Sequence, residues 1–184
     1  LLITPLLGQL KHNEQLALVS PPFVPNAAAL NTLGLAPDRT WSVHAQSVAH
    51  RLWAAEQLLR CEAVGMVLLW LPQATATGLR RLQAAAQTQR PGGQRAPWAF
   101  VMRPWAAAPD PSPAPLRVQI QSMGAKGLRL NLLKRRGPPL LHPIDWPLSH
   151  PVASILSLHP TYHHVLDRAR VRTLTPNTEH LVGP

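Results

Sequence analysis

The sequence predicts an α/β fold: a mostly parallel sheet flanked by helices, with a β-hairpin toward the C-terminus. Three observations predict it. Residues 63–72 form a continuous apolar run closed by a proline, the pattern of a strand buried on both faces. An amphipathic helical period lies on each side of that run, over 47–60 and 77–89. Helix, buried strand, helix is the order expected of a parallel sheet covered on both faces. Further on, 116–121 and 128–132 alternate apolar and polar residues around Gly124 and Gly127, as a hairpin with one wet face does.

Taken in order, apolar residues at 2, 3, 6, 7 and 10 suit the end of an amphipathic helix, with Pro5 in its first turn. Residues 15–20 read as a short buried strand stopped by Pro21-Pro22. A strand ending at the carboxyl edge of such a sheet is where α/β proteins place ligands. Asn26 is positioned to cap a short helix running to Leu33, and Gly34 to end it in the left-handed conformation. Residues 40–43 predict a strand, and Ser47 is a candidate cap for the helix that follows.

On that helix Val48, Leu52, Ala55 and Leu59 share one face, while Arg51, Glu56 and Arg60 point elsewhere. Glu56 and Arg60 have the i,i+4 spacing of a helical ion pair. After the buried strand, Leu79, Leu82 and Ala86 repeat the helical stripe, and Pro91-Gly92-Gly93 ends it. Residues 98–102 are a further apolar strand, stopped by Arg103-Pro104. Right-handed crossovers would lay these strands parallel. A Pro/Ala-rich connector, 106–115, leads into the hairpin. The α/β domain is expected to span 1–137. Proline and histidine dominate 138–184, which reads as an extended or disordered tail with a short helix around 162–172.

The chain has 184 residues, room for one domain with a sizeable core and a tail. It opens on Leu1 inside a patterned segment, so a fragment lacking its N-terminus is expected. No apolar run approaches the ~18 residues of a membrane span, so no membrane partner is expected. The formal charge of +10 suits nucleic acid, an acidic protein surface or a membrane surface; an arginine-rich composition accounts for it equally. The single cysteine, Cys61, excludes an internal disulfide and a cysteine-based zinc site, and fits a reducing cytoplasm.

Nucleotide-handling sheets often end their buried strand in a carboxylate that holds a metal ion or a water. Here the end is Trp70-Leu71-Pro72, with no acid. No GxxxxGK[ST] phosphate loop is present, although it would precede residue 1 in this element order. No catalytic residue and no cofactor is expected, and ATP hydrolysis is not. His142, His150, His159, His163 and His164 invite a metal, but Pro160 interrupts the i,i+4 pair and no carboxylate or cysteine completes a set, so no metal site is assigned. No serine sits in a GxSxG elbow. The sharpest polar feature is Lys134-Arg135-Arg136, before Gly137 and Pro138-Pro139. Arginine forks suit phosphates and carboxylates; a charged strand end also blocks edge-to-edge aggregation. With Arg103, these three cations are the candidate partner- or DNA-binding residues.

Five blocks carry a resemblance: 52–60 (Leu-Trp-Ala-Ala-Glu-Gln-Leu-Leu-Arg), 67–72 (Val-Leu-Leu-Trp-Leu-Pro), 79–83 (Leu-Arg-Arg-Leu-Gln), 100–104 (Phe-Val-Met-Arg-Pro) and 132–137 (Leu-Leu-Lys-Arg-Arg-Gly). In this order they resemble the ImuA family of bacterial translesion-synthesis accessory proteins, over roughly residues 1–140. That family is similar to the cell-division inhibitor SulA and, more remotely, to the RecA recombinase core. The resemblance implies a RecA-like α/β fold and an SOS-induced, cytoplasmic, non-catalytic protein. Its implied partners are an ImuB-like polymerase-family protein, RecA and an error-prone polymerase, with DNA as a further candidate. The SulA branch implies FtsZ instead. The 134–137 block favours the ImuA branch, because it lies in a hairpin beyond the shared core. A recombinase-type ATPase requires a phosphate loop upstream of residue 1.

Overall fold

The structure is a computed structural model and describes residues 7–88, 90–93 and 95–147. Two compact units are present: the described residues up to Gln119 with Leu133–Pro139, and Ile120–Leu132 with the described residues from Leu140.

The first unit is built on four strands, β1 (Gln15–Val19), β2 (Thr40–Val43), β3 (Val64–Trp70) and β4 (Trp98–Met102). They form one sheet in the order β2-β1-β3-β4, and every pairing in it is parallel. Between them run helices α1 (Ala27–Thr32), α2 (Val48–Arg60) and α3 (Ala76–Ala86). Each begins at the residue type that caps best: Asn26 Oδ1 accepts from the Ala29 amide at 3.0 Å, Ser47 Oγ from His50 at 3.1 Å and Thr75 Oγ1 from Gly78 at 3.1 Å. Gly34, at φ +83°, follows α1 in the left-handed conformation.

The apolar run of β3 is continuous because both of its faces are covered. Val64, Val67 and Leu69 pack with Ala17, Val19, Ala55, Leu59, Leu79 and Leu82 in one cluster. Met66 and Leu68 pack with Leu16, Leu18, Leu7, Leu10 and Leu35 in another. Neighbouring residues of β1 and β3 thus alternate between two cores. The helices flanking β3 in sequence do not take opposite faces; α2 and α3 share the first cluster. The strand order gives the reason. The β2-to-β3 and β3-to-β4 crossovers move the same way across the sheet, so right-handed connections put both helices on one side. The β1-to-β2 connection runs back the other way, and its Leu30, Leu33 and Leu35 lie against the second cluster.

Buried charges stitch this unit together. Arg90, 8% exposed, donates through Nη2 to the carbonyls of Cys61 at 2.9 Å and Val64 at 2.6 Å, beyond the C-terminus of α2. Glu14 Oε2 accepts from the Lys11 amide at 3.0 Å, and a side chain at Gly65 would strike that carboxylate. Glu56 also differs from the expectation that it points away from the core. It is buried between α2 and α3, where Arg60 and Arg81 hold it.

The hairpin segment forms a second sheet of β5 (Arg117–Ser122), β6 (Leu128–Lys134) and β7 (Ile144–Trp146), in that order. The Met123 amide donates to Gly127 O at 2.8 Å across the β5–β6 turn. Antiparallel pairing sets Leu128 opposite Trp146, Arg129 opposite Asp145 and Leu130 opposite Ile144. Gly127, at φ +124°, passes under the backbone of Trp146, and a Cβ there would overlap the Trp146 carbonyl. β7 falls in the stretch that the sequence assigns to an extended or disordered tail, and it is a short extended segment held by a partner strand. The helix expected around 162–172, and His150, His159, His163 and His164, lie outside the described residues, as does Pro5.

Candidate functional site

In an open parallel sheet, ligands bind outside the carboxyl ends of the strands, where the direction of the connections reverses. Here that reversal falls between β1 and β3. A pocket of about 740 Å³ opens there. All four strand ends contribute: Ser20 to Pro22 after β1, His44 to Gln46 after β2, Trp70 to Pro72 on β3, and Met102 to Pro104 on β4.

Ser20 fixes the geometry of the rim. It is a non-glycine residue in the left-handed region, at φ +51°. Such a conformation persists only where its surroundings over-determine it. Its Oγ donates to Ala45 O and accepts from the Ala45 amide, both at 3.1 Å, which clamps the loop after β1 to the loop after β2.

Two guanidinium groups set the electrostatics. Arg51, in the first turn of α2, donates through Nε to Ala45 O at 3.1 Å and through Nη1 to Trp70 O at 3.4 Å. The backbone at the end of β3 is thus bound by a cation. Arg103, just past β4, donates through Nη2 to Asp110 Oδ2 at 2.7 Å. Its side chain is only 15% exposed. Its Nε and Nη1 are closed off from solvent and have no acceptor among the described residues. An unpaired buried N–H on a charged group is costly. His44 adds an imidazole, its Nε2 3.2 Å from Ser42 Oγ. Among the described residues no carboxylate lines the pocket. Such a site attracts oxyanions and repels divalent cations. Among the described residues no group of three or more His, Cys, Asp or Glu side chains is placed to hold a metal ion.

The four sequence candidates divide into two pairs. Arg103 is on the pocket wall. Lys134, the last residue of β6, donates through Nζ to Ser112 O at 3.0 Å. Both are therefore tied to the connector 106–115, through Asp110 and Ser112. Arg117 joins them by donating to Ala108 O at 2.8 Å. The connector lacks a core pattern because cations hold it through its polar groups. Arg135 and Arg136 are exposed, and Arg135 Nε donates to Arg136 O at 3.3 Å.

Ser20, His44 and Arg51 were not legible as site residues. Arg51 did leave a signal. A cation in the first turn of a helix opposes the macrodipole, and no acid offsets it there.

No protein-family model matches the chain. A search of curated proteins found no match either. Among solved structures, the chain is similar to SulA from Pseudomonas aeruginosa, with 24% sequence identity and a TM-score of 0.43, covering 56% of this chain and 85% of that one.

Proposed function

We propose that this chain is a non-catalytic binding platform, an SOS-response accessory protein in translesion DNA synthesis that works by protein–protein contact. The observation that carries the proposal is the end of β3. Trp70-Leu71-Pro72 stands where a nucleotide hydrolase of this architecture keeps an acid, and Arg51 occupies the Trp70 carbonyl. A pocket walled by Arg51 and Arg103 is suited to an acidic partner group and poorly suited to magnesium. The five ImuA-like blocks supply the setting. The proposed partners are an ImuB-like protein, RecA and an error-prone polymerase, with DNA as a further ligand of the exposed cations. Arg103, Lys134, Arg135 and Arg136 are the proposed contact residues.

The test is a pull-down of the protein against ImuB, RecA and FtsZ, with and without Lys134, Arg135 and Arg136 changed to glutamate. Capture of ImuB or RecA, lost in the triple variant while its circular dichroism is unchanged, is the expected result. Capture that survives the charge reversal removes these residues from the interface.

The SulA side of the resemblance gives the alternative, a division inhibitor that binds FtsZ. It requires that expression alone make cells filament and that purified protein suppress FtsZ assembly. A phosphate loop recovered upstream of residue 1 would favour a RecA-like ATPase instead.

A further inference from the structure

We propose that the carboxyl-edge pocket docks a carboxylate carried on a proline-flanked peptide segment of a partner protein, that Arg103 binds it, and that Asp110 is the internal group it displaces. This deepens the binding-platform proposal and rests on it.

Three observations converge. First, the pocket is cationic and has no acid in its lining. Arg51 is held by two carbonyls, which carry no net charge, and Arg103 is offset by the half-exposed Asp110, so the field in the pocket is positive. Second, Arg103 already holds a carboxylate, and only through Nη2; Nε and Nη1 are unpaired. The acid it holds comes from Pro109-Asp110-Pro111, a proline-flanked bend in which the Asp110 amide donates to Ala107 O at 3.2 Å. Asp110 is 48% exposed, so it can leave toward solvent and an incoming acid can take its place on Nη2. Third, exposed aromatic residues follow two of the lining residues in the chain. Phe23 follows Pro22 and is 65% exposed, and Trp105 follows Pro104 and is 64% exposed. Aromatic anchors beside a polar pocket are the usual make-up of a peptide-docking surface.

The experiment titrates the full 184-residue chain with labelled synthetic peptides, read by fluorescence anisotropy. One probe copies residues 105–113, and a second carries Asn in place of its aspartate. Asp110→Asn in the protein frees Arg103, so it should bind the acidic probe about tenfold more tightly than the unaltered chain, as a charge-assisted hydrogen bond allows. Adding Arg103→Gln should abolish that gain, and the Asn probe should bind neither protein. A gain of binding cannot come from misfolding, so the Asp110→Asn arm stands even if Arg103→Gln folds poorly. Equal binding by the Asp110→Asn and unaltered proteins, or equal binding of both probes, overturns the proposal. So does displacement by inorganic phosphate or a short oligothymidylate at a lower concentration than the unlabelled acidic peptide. A negative titration beside a positive ImuB or RecA pull-down removes the pocket and leaves the platform.

Discussion

Arg81 of α3 donates to Glu56 of α2 at 2.6 Å, and this ion pair fastens together the two crossover helices on one face of the sheet. Arg60, one turn along α2, holds the other carboxylate oxygen at 2.9 Å. The carboxylate is nearly buried, while the two arginine side chains are more than half exposed. Either arginine alone therefore contributes little, and Arg81→Ala or Arg60→Ala should each cost at most about 1 kcal/mol. Removing both leaves a buried carboxylate without a counter-charge. The double variant should lose more than the sum of the singles, by about 1 kcal/mol or more, in urea denaturation.

Arg90 calls for a larger effect. It serves the carbonyls of Cys61 and Val64 from a buried position, and among the described residues no other side chain donates to them. Arg90→Met keeps much of the aliphatic bulk and removes the donors. It should destabilise the domain by roughly 1 to 3 kcal/mol, since the Val64 carbonyl loses its guanidinium donor while Cys61 O keeps only the Val64 amide. Lys in its place should recover only part of that loss, because an ammonium lacks the planar fork. Thermal melts of the three proteins check the order.

Acid should act on the second sheet through one pair. Arg129 donates to Asp145 through Nε and Nη2, at 2.7 and 2.8 Å. These hydrogen bonds hold the Asp145 carboxyl below its ordinary value. A carboxylate depressed by folding stabilises the folded state above its unfolded value, and that contribution disappears as pH falls through the folded one. The Arg129–Asp145 bonds should thus outlast the ordinary aspartate range and be lost only in stronger acid. Carboxyl NMR of Asp145 against pH measures this, and Asp145→Asn should remove the associated change in the Trp146 amide signal.

Salt should separate the exposed cations from the tethered one. Arg135 and Arg136 are free to neutralise phosphates, whereas Lys134 already donates to Ser112. If DNA is a ligand, log K should fall with log salt by about 0.7 to 0.9 per phosphate contact. Arg135→Ala and Arg136→Ala should each reduce that slope more than Lys134→Ala does. Gel shifts across a salt series read the difference.

The sheet was legible in the sequence because its strands announce themselves locally. The 63–72 run is apolar on successive residues, and Pro21, Pro72 and Pro104 mark where strands stop. The caps Asn26 and Ser47 were equally plain, since a cap is a contact between near neighbours. What could not be read was anything set by strand order. That α2 and α3 share a face follows from the direction of the crossovers, which no local pattern encodes. Ser20, His44 and Arg51 belong to one pocket only once β1 and β2 lie side by side. Glu56 looks solvent-facing by helical spacing, because nothing in α2 shows that α3 will cover it. Arg103 and Lys134 stood out by their charge, but their attachment to Asp110 and Ser112 did not.

The strand order also governs when the sheet can form. β1 is flanked by β2 and β3, and Leu18 meets Leu68 across the β1–β3 ladder. β3 in turn needs β4, so that Trp70 meets Met102. None of these ladders is closed by a tight turn, so each must wait for a distant segment. A chain emerging from the ribosome exposes β1 well before β3 exists to cover it. Closure of this core therefore waits for residues 64–70, which join the β1–β2 pair to β4.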